Sequence, residues 1–492
     1  MALENLQPKE VFTFFEKLCS IPHGSYNVQK ISDYLVSFAK ERNLEVVQDK
    51  ELNVIIKAPG SAGYEDKEPV ILQGHMDMVA VKDDKADIDM KTDGLRVTTD
   101  GEYVWAEGTS LGGDDGIAVA YCLALLDSKI IPHPPLEVVI TTNEETGMEG
   151  ANAIDLSGLK GRKMINIDNE VEGQFITSCA GGARFYSYLP VKRQAFKGIK
   201  LKVTIDGLKG GHSGEMIKCG RGNANVILAR TLLEASDVSK FAIIDMHGGV
   251  ADNAIPASAV ADIVVAAEDA SAFVKSLAGT LNDLKGELEI KDPDVMISVQ
   301  NKKAEDAAAI DEIKSLPETE EMAITVEDSL KVVSLIAVMP DGVQAMSASV
   351  EGLVETSLNL GVLSTEENRV ILEQSVRSSV ETSKENLLRK LELISGGYGA
   401  ETVINSRYPG WKYNPSSDLR EHMVSVYKKM YGTEPRIEAI HAGLECGILS
   451  DKIKGLDCIS IGPDMDDIHS PKERLSVKST ANVWEFLKEV LK

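Results

Sequence analysis

Residues 69–79 read PVILQGHMDMV, residues 135–145 read PLEVVITTNEE and residues 163–170 read KMINIDNE. Each is a short apolar run that ends in polar groups able to bind metal or move protons: His75 and Asp77, Glu144 and Glu145, then Asp168. Runs of this length, bounded by polar residues, read as strands buried on both faces. Helical stretches such as GIAVAYCLALLDSKI at 116–130 lie between them. Strands alternating with helices indicate an α/β domain with a mostly parallel, mixed sheet. Functional residues in such sheets sit just beyond the carboxyl ends of the strands, where the HMD, NEE and DNE ends fall.

Working outward, Ile31, Tyr34, Leu35, Phe38 and Ala39 recur at helical spacing, and VIIKA at 54–58 is a further strand. The pattern changes near residue 187. LKVTIDG at 201–207 alternates at Leu201, Val203 and Ile205, the period of a half-exposed strand. The helix ANVILARTLLEA (224–235) and the strands SAVADIVVAA (258–267) and RVILEQSVRSSV (369–380) follow, an α+β pattern with an antiparallel sheet. Segment 301–330, rich in Lys, Glu, Asp and Ala, reads as an exposed helix or loop without chemistry. From about 410 the α/β style returns with DLREHMVSVYKKM, LDCISIGP and ANVWEFLKEVL. The expected organisation is one α/β domain formed by residues 1–186 and 409–492, with an α+β domain of residues 187–408 inserted in it.

Composition narrows the function. With 52 Lys and Arg against 77 Asp and Glu, the net charge of −25 argues against nucleic acid or an anionic membrane as partner, since both need a basic surface. The first residues, MALENLQPKEVFTFFEKLC, read as an amphipathic helix and not as a signal peptide. No apolar run approaches the roughly 18 residues of a bilayer span. Six dispersed cysteines without a CxxC pair suit a reducing compartment, so a cytoplasmic location is expected.

Five features in order carry the chemistry. His75 and Asp77 share one face of an extended strand, so Asp77 could orient the imidazole for metal binding. LGGDDGIAVA folds as a tight glycine turn into a helix; of Asp114 and Asp115, one could cap the helix while the other binds metal. Glu144 and Glu145, taken as adjacent residues of an extended segment, point in opposite directions, one toward a metal and one toward an attacking water. Asp168 follows the next strand, and His469 in IHSPKERLSV follows a run of acids, with Pro471 fixing its turn. Two histidines and several carboxylates without clustered cysteines suit zinc, with manganese or cobalt as substitutes.

The order GHMDMV, GGDDG, NEETG, NID and IHSP resembles the two-metal metallopeptidases that include peptidase T and peptidase V. CAGG at 179–182, GGHSGEMIKCGRGNAN at 210–225 and HAGLECGIL at 441–449 are similar to the aminoacyl-histidine dipeptidase branch. The resemblance spans essentially the whole chain. It implies that the α/β domain is catalytic and the inserted domain a lid. It implies that His75 and Asp168 hold one zinc, that Glu145 and His469 hold the other, and that Asp114 bridges both, with Asp115 the alternative. Asp77 would orient His75, and Glu144 would be the general base. His212 in GGHSG would polarise the scissile carbonyl, while Asn253 in DNAIP and Arg377 in SVRSS would contact substrate. The implied reaction is hydrolysis of dipeptides, Xaa-His dipeptides such as β-alanyl-histidine among them, by a homodimer. An aminotripeptidase or N-acyl amino acid deacylase with the same site is the alternative, ahead of a two-metal phosphoesterase or a non-catalytic binding protein. His23, His133 and His422 read as structural or exposed, and His247 and His441 as pocket candidates.

Overall fold

The computed structural model describes residues 2–306 and 313–492 and divides the chain into two compact units. The first is Met1–Ser178 with Trp411–Ala439 and Leu444–Lys492; the second is Cys179–Gly410 with Ile440–Gly443. The breaks therefore fall at 178/179, 410/411, 439/440 and 443/444, whereas the sequence pattern places two, at 186/187 and 408/409. The strand Gly181–Pro190, built into the second unit's sheet against Arg369–Ser378, begins with the small residues GGA, which hide its alternation.

The first unit is built on an eight-stranded mixed sheet. Its order is Glu45–Gln48, Val54–Ala58, Leu136–Thr141, Val70–His75, Lys163–Asn166, Asp457–Ser460, Gln174–Cys179 and Arg436–Ile440. The four strands from Leu136–Thr141 to Asp457–Ser460 run parallel. Leu136–Thr141 is buried along its whole length, which is why it reads as an unbroken apolar run. The helix Gly113–Asp127 is buried on every side, with helix Lys9–Cys19 and strand Val70–His75 against it, so its sequence shows no polar face. Tyr121 of that helix stacks on Trp484 of helix Val477–Val490 at 5.9 Å between ring centroids. A small four-stranded sheet joins Met465–Asp466, Arg474–Ser476, Tyr103–Ala106 and Val97–Thr99.

The second unit holds an eleven-stranded antiparallel sheet whose long central strands include Arg193–Asp206, Val354–Thr365 and Arg369–Ser378. Leu201, Val203 and Ile205 point into its core and Lys200 and Lys202 point out, the period-two pattern expected. Helices Ala224–Ala235, Ala270–Glu287, Val326–Val338 and Glu381–Gly397 supply apolar faces to the same core. The reading of 301–330 as helix or loop fails at Glu318–Ile324, which pairs with Arg193–Ile199. Polar residues line most of this strand, and only Ala323 and Ile324 are buried, so the hydropathy gave no strand signal. Residues 307–312 of that segment lie outside the described residues. Among the described residues, no helix is long and apolar enough to cross a membrane.

Gly74 shows how closely helix Gly113–Asp127 approaches the sheet. A Cβ there would stand 2.6 Å from the Ala118 Cβ and would also collide with the Asp115 carboxylate. Gly74→Ala should therefore destabilise the chain by about 1–3 kcal/mol, the usual effect of overpacking a filled interior. Gly279, inside helix Ala270–Glu287 with nothing within 4 Å of its added Cβ, should accept alanine with an unchanged or raised melting temperature. Thermal unfolding of both variants checks the contrast.

Candidate metal centre

The parallel strands deliver three groups to one level. His75 ends the strand Val70–His75, Asp168 follows Lys163–Asn166, and Glu144 and Glu145 follow Leu136–Thr141. Asp114 arrives from the start of helix Gly113–Asp127, where Gly112 takes the left-handed conformation (φ 68°) that a side chain would resist. Asp114 itself has non-helical backbone angles (φ −82°, ψ 105°), so its side chain turns out of the helix end. His469 lies in the turn between Met465–Asp466 and Arg474–Ser476.

These five residues form two clusters that share one carboxylate. His75 Nε2 lies 3.1 Å from Asp114 Oδ1 and 3.5 Å from Asp168 Oδ1. His469 Nε2 lies 3.0 Å from Asp114 Oδ2 and 3.0 Å from Glu145 Oε2. Each cluster offers three ligand atoms within 4.8 Å of one another, and Asp114 is in both. Asp115 is in neither. It is fully buried and accepts the His75 backbone N–H at 3.1 Å, so it braces the strand end.

Around the clusters the backbone does part of the orienting. His75 Nδ1 donates to the Asp77 carbonyl oxygen at 2.9 Å, which leaves Nε2 to face Asp114 and Asp168. The Asp77 carboxylate is farther from that ring, at 3.6 Å. It accepts the Ser25 hydroxyl at 2.8 Å and the Glu144 backbone N–H at 3.1 Å. Glu144 and Glu145 do not lie on an extended segment. They open a single helical turn, Glu144–Gly147, after the left-handed Asn143. Neighbouring helical residues diverge by about 100°, which still separates the two carboxylates.

Electrostatics follow from crowding acids in a dry place. Burial foremost, then the negative Asp168, Glu445 and Glu145, hold the Glu144 carboxyl well above its ordinary value. Burial and the negative Asp114 and Glu145 push Asp168 up to about 6, against the pull of His75. Burial alone would lower His75, but hydrogen bonds with Asp114, Asp168 and Asp77 hold it well above 6.5. Asp114 moves the other way: burial opposes the shift, and His469 and His75 draw its carboxyl below the ordinary range. Hydrogen bonds to Asp114 and Glu145 raise His469 to about 10.

This donor set fits two divalent cations. It combines imidazole nitrogens with carboxylate oxygens, the ligands that zinc and its neighbours accept. It concentrates negative charge where solvent cannot neutralise it. Among the described residues Glu145 Oε1 is buried without a hydrogen-bond partner, an acceptor left for a cation.

The second unit carries the other three candidates. His212 pairs antiparallel with Ala254, and the Asn253 carbonyl accepts the Ser213 backbone N–H at 2.7 Å, so Asn253 and His212 stand on adjoining segments. Burial and the nearby Arg377 guanidinium lower the His212 pKa. Arg377 is buried, with Nη1 3.3 Å from the Tyr408 hydroxyl and Nε without a partner among the described residues. Of the remaining histidines, His23, His133 and His422 contact backbone carbonyls. Exposed His247 lies 2.6 Å from Asp245. His441 is buried against the Ser357 hydroxyl at 2.7 Å.

Sequence reasoning passed over Glu445. It is fully buried, and its Oε2 accepts from Gln73 Nε2 and from the Thr141 hydroxyl, each at 2.6 Å. Gln73 in turn accepts from Asn166 Nδ2 at 2.5 Å. One network thus ties the strands leading to His75, to Glu144 and to Asp168. Glu445 lies within the HAGLECGIL stretch, but as a lone acid at the start of helix Glu445–Lys452 it looks like an ordinary helix-terminus charge.

The fold and the paired clusters define a class: an α/β hydrolytic scaffold with a candidate two-metal centre at the carboxyl ends of its parallel strands. More particularly, the chain belongs to peptidase family M20/M25/M40, whose model matches residues 71–492. It is 37% identical over 496 residues to the cytosol non-specific dipeptidase of Escherichia coli (strain K12), covering 100% of this chain and 98% of that protein. The crystal structure of aminoacylhistidine dipeptidase from Vibrio alginolyticus superposes with a TM-score of 0.91 at 35% identity, over 100% of this chain and 98% of that one. The aminopeptidase PepT of Bacillus cereus shares the fold, with a TM-score of 0.55 at 14% identity over 99% and 98% of the two chains. The expected α/β architecture with an antiparallel second sheet, and the expected metal-dependent peptidase class, both hold.

A pH dependence follows for metal-free protein. The raised pKa of His469, from 6.5 to about 10, means that folding favours the imidazolium. Its stabilising contribution is complete below 6.5 and is lost as pH rises toward about 10. The melting temperature of the metal-free protein should fall across that window, and His469→Ala should lack that component. An identical pH profile in the variant would contradict the arrangement.

Proposed function

We propose that this chain is a cytoplasmic dipeptidase that hydrolyses small dipeptides, Xaa-His dipeptides such as β-alanyl-histidine among them, at a two-zinc centre. The observation that carries the reading is the Asp114 carboxylate, with one oxygen toward His75 and the other toward His469. His75, Asp114 and Asp168 form one ligand set and Asp114, Glu145 and His469 the other. Manganese or cobalt would substitute for zinc in a set of nitrogen and oxygen donors. Two such cations would lower the pKa of an attacking water and polarise the scissile carbonyl.

Glu144 is the general base in this reading. Its carboxylate takes the water's proton and delivers it to the leaving amine. Asp77 keeps two parts of the site in place: its carbonyl fixes the His75 tautomer and its carboxylate holds the Glu144 backbone. His212 donates to the oxyanion that forms at the carbonyl, and Arg377 takes the substrate's free carboxylate as a guanidinium clamp, with Asn253 contacting substrate. The assembly we assign is a homodimer.

Glu144→Gln should abolish turnover while both metals and the fold are retained, whereas Glu145→Ala should lose metal. Assays with β-alanyl-histidine, other dipeptides, tripeptides and N-acetyl amino acids, before and after chelation, check the substrate class. Faster turnover of tripeptides or N-acetyl amino acids would replace the dipeptidase reading, and full activity without metal would end it.

His212→Ala should lower kcat by roughly 10²–10³-fold, the usual effect of removing one oxyanion donor, with metal content and melting temperature unchanged. If the variant instead loses stability and keeps kcat, His212 only shapes its glycine-rich turn.

A further inference from the structure

The motif that supplies His469 also contains Glu473, which none of the chemistry above uses. Its side chain is buried (2% exposed) and reaches the glycine turn that precedes Asp114. Glu473 Oε2 accepts the backbone N–H of Leu111 at 2.8 Å and of Gly112 at 3.2 Å. Oε1 accepts that of Gly113 at 2.8 Å, with the Asp114 N–H at 3.5 Å. Successive N–H groups curled around one anion form a nest, here continuous with the start of helix Gly113–Asp127. The approach is close: a Cβ on Gly113 would stand 3.2 Å from Glu473 Oε1.

The other end of the connection is equally fixed. The Glu473 backbone N–H donates to the Ser470 carbonyl at 3.1 Å, closing the turn Ser470–Glu473 that follows directly on His469. The Ser470 hydroxyl donates to the Asp467 carbonyl at 2.7 Å. His469 therefore stands immediately before a turn whose last residue grips the Asp114 segment. Asp114 keeps other anchors, namely the helix it opens and its contact with His75. His469 meets Asp114 and Glu145 from a turn 45% open to solvent at its own side chain, so beyond the strand pair Met465–Asp466 and Arg474–Ser476 its placement against Asp114 rests on that grip.

We propose that Glu473 is the positioning residue for the Asp114–Glu145–His469 half of the centre: it ties the His469 turn to the Asp114 turn and so sets the affinity of that half for its cation. The proposal rests on the two-metal reading above, and the experiment separates the two. Metal-free full-length protein is titrated with Co²⁺, followed by calorimetry and by the visible absorption of bound cobalt, with melting temperature recorded on the same samples. Wild type should bind two Co²⁺. Glu473→Ala should keep the first ion with near wild-type affinity and bind the second about 10–100-fold more weakly, the usual effect of removing a group that orients ligands. Glu473→Gln, the same size, should weaken the second ion in the same direction and by less, because its single carbonyl oxygen cannot serve all the donors. It carries the test if the alanine variant does not fold. Two ions bound as in wild type, or both weakened equally, by the variant that folds would overturn the proposal, whatever the melting temperature does. A wild type that binds fewer than two Co²⁺ would instead overturn the two-metal reading.

Discussion

The sharing of Asp114 between two imidazoles is the constraint on which the rest depends. One carboxylate has an oxygen 3.1 Å from His75 Nε2 and the other 3.0 Å from His469 Nε2. Removing ionised groups from water costs several kcal/mol per ion unless each is paired. The histidines offset Asp114 while Asp168, Glu145 and Glu144 crowd around them, leaving an excess of acid in a largely buried place. The direction of the pKa shifts records that excess: Asp168 and Glu144 are pushed up, and both imidazoles are shifted above their ordinary value. A pair of divalent cations resolves the same imbalance without protons, which is the physical link between this arrangement and a metal-dependent peptidase.

The fold serves this shared carboxylate from several directions. Parallel strands place His75, Asp168 and the Glu144–Glu145 turn at one edge, because their buried carboxyl ends finish at the same level. Glu445, Gln73, Thr141 and Asn166 bind those ends together beneath the site. A buried network of this kind is stabilising only when its members are satisfied. The Glu445 carboxyl, pushed up to about 7 mainly by burial, shows that the arrangement places acid deep in the domain. Gly74 lets the helix that carries Asp114 approach the strand that carries His75 closely enough for Asp115 to accept the His75 N–H. The two aspartates of GGDDG thus divide their work, one facing the site and the other bracing the strand.

Much of this was legible in the residues. Apolar runs ending in HMD, NEE and DNE marked strands and the edge that matters, because strands buried on both faces are mostly apolar up to their ends. The period-two pattern at Leu201, Val203 and Ile205 marked the second sheet for the opposite reason, one face being wet. Other parts were not legible. Spacing alone could not choose Asp114 over Asp115, since both open the same helix and the choice is made by backbone angles at the turn. The Glu144–Glu145 segment looked extended but folds as a helical turn behind Asn143. Strand Glu318–Ile324 has no hydropathy signal, since its partner Arg193–Ile199 and not burial defines it. Glu445 is invisible for a further reason: its partners lie about 300 residues or more away in sequence.

The account stands most directly on Asp114 as the common ligand of two cations. Anomalous diffraction from crystals of the zinc-loaded protein, recorded at the zinc edge, locates the ions without reference to activity. The account predicts two zinc peaks about 3.5–4 Å apart, as in other two-metal hydrolytic sites. One would be bound by His75 and Asp168, the other by Glu145 and His469, with one Asp114 oxygen on each. A single peak, or two peaks bridged by Asp115 or by no carboxylate, would contradict it.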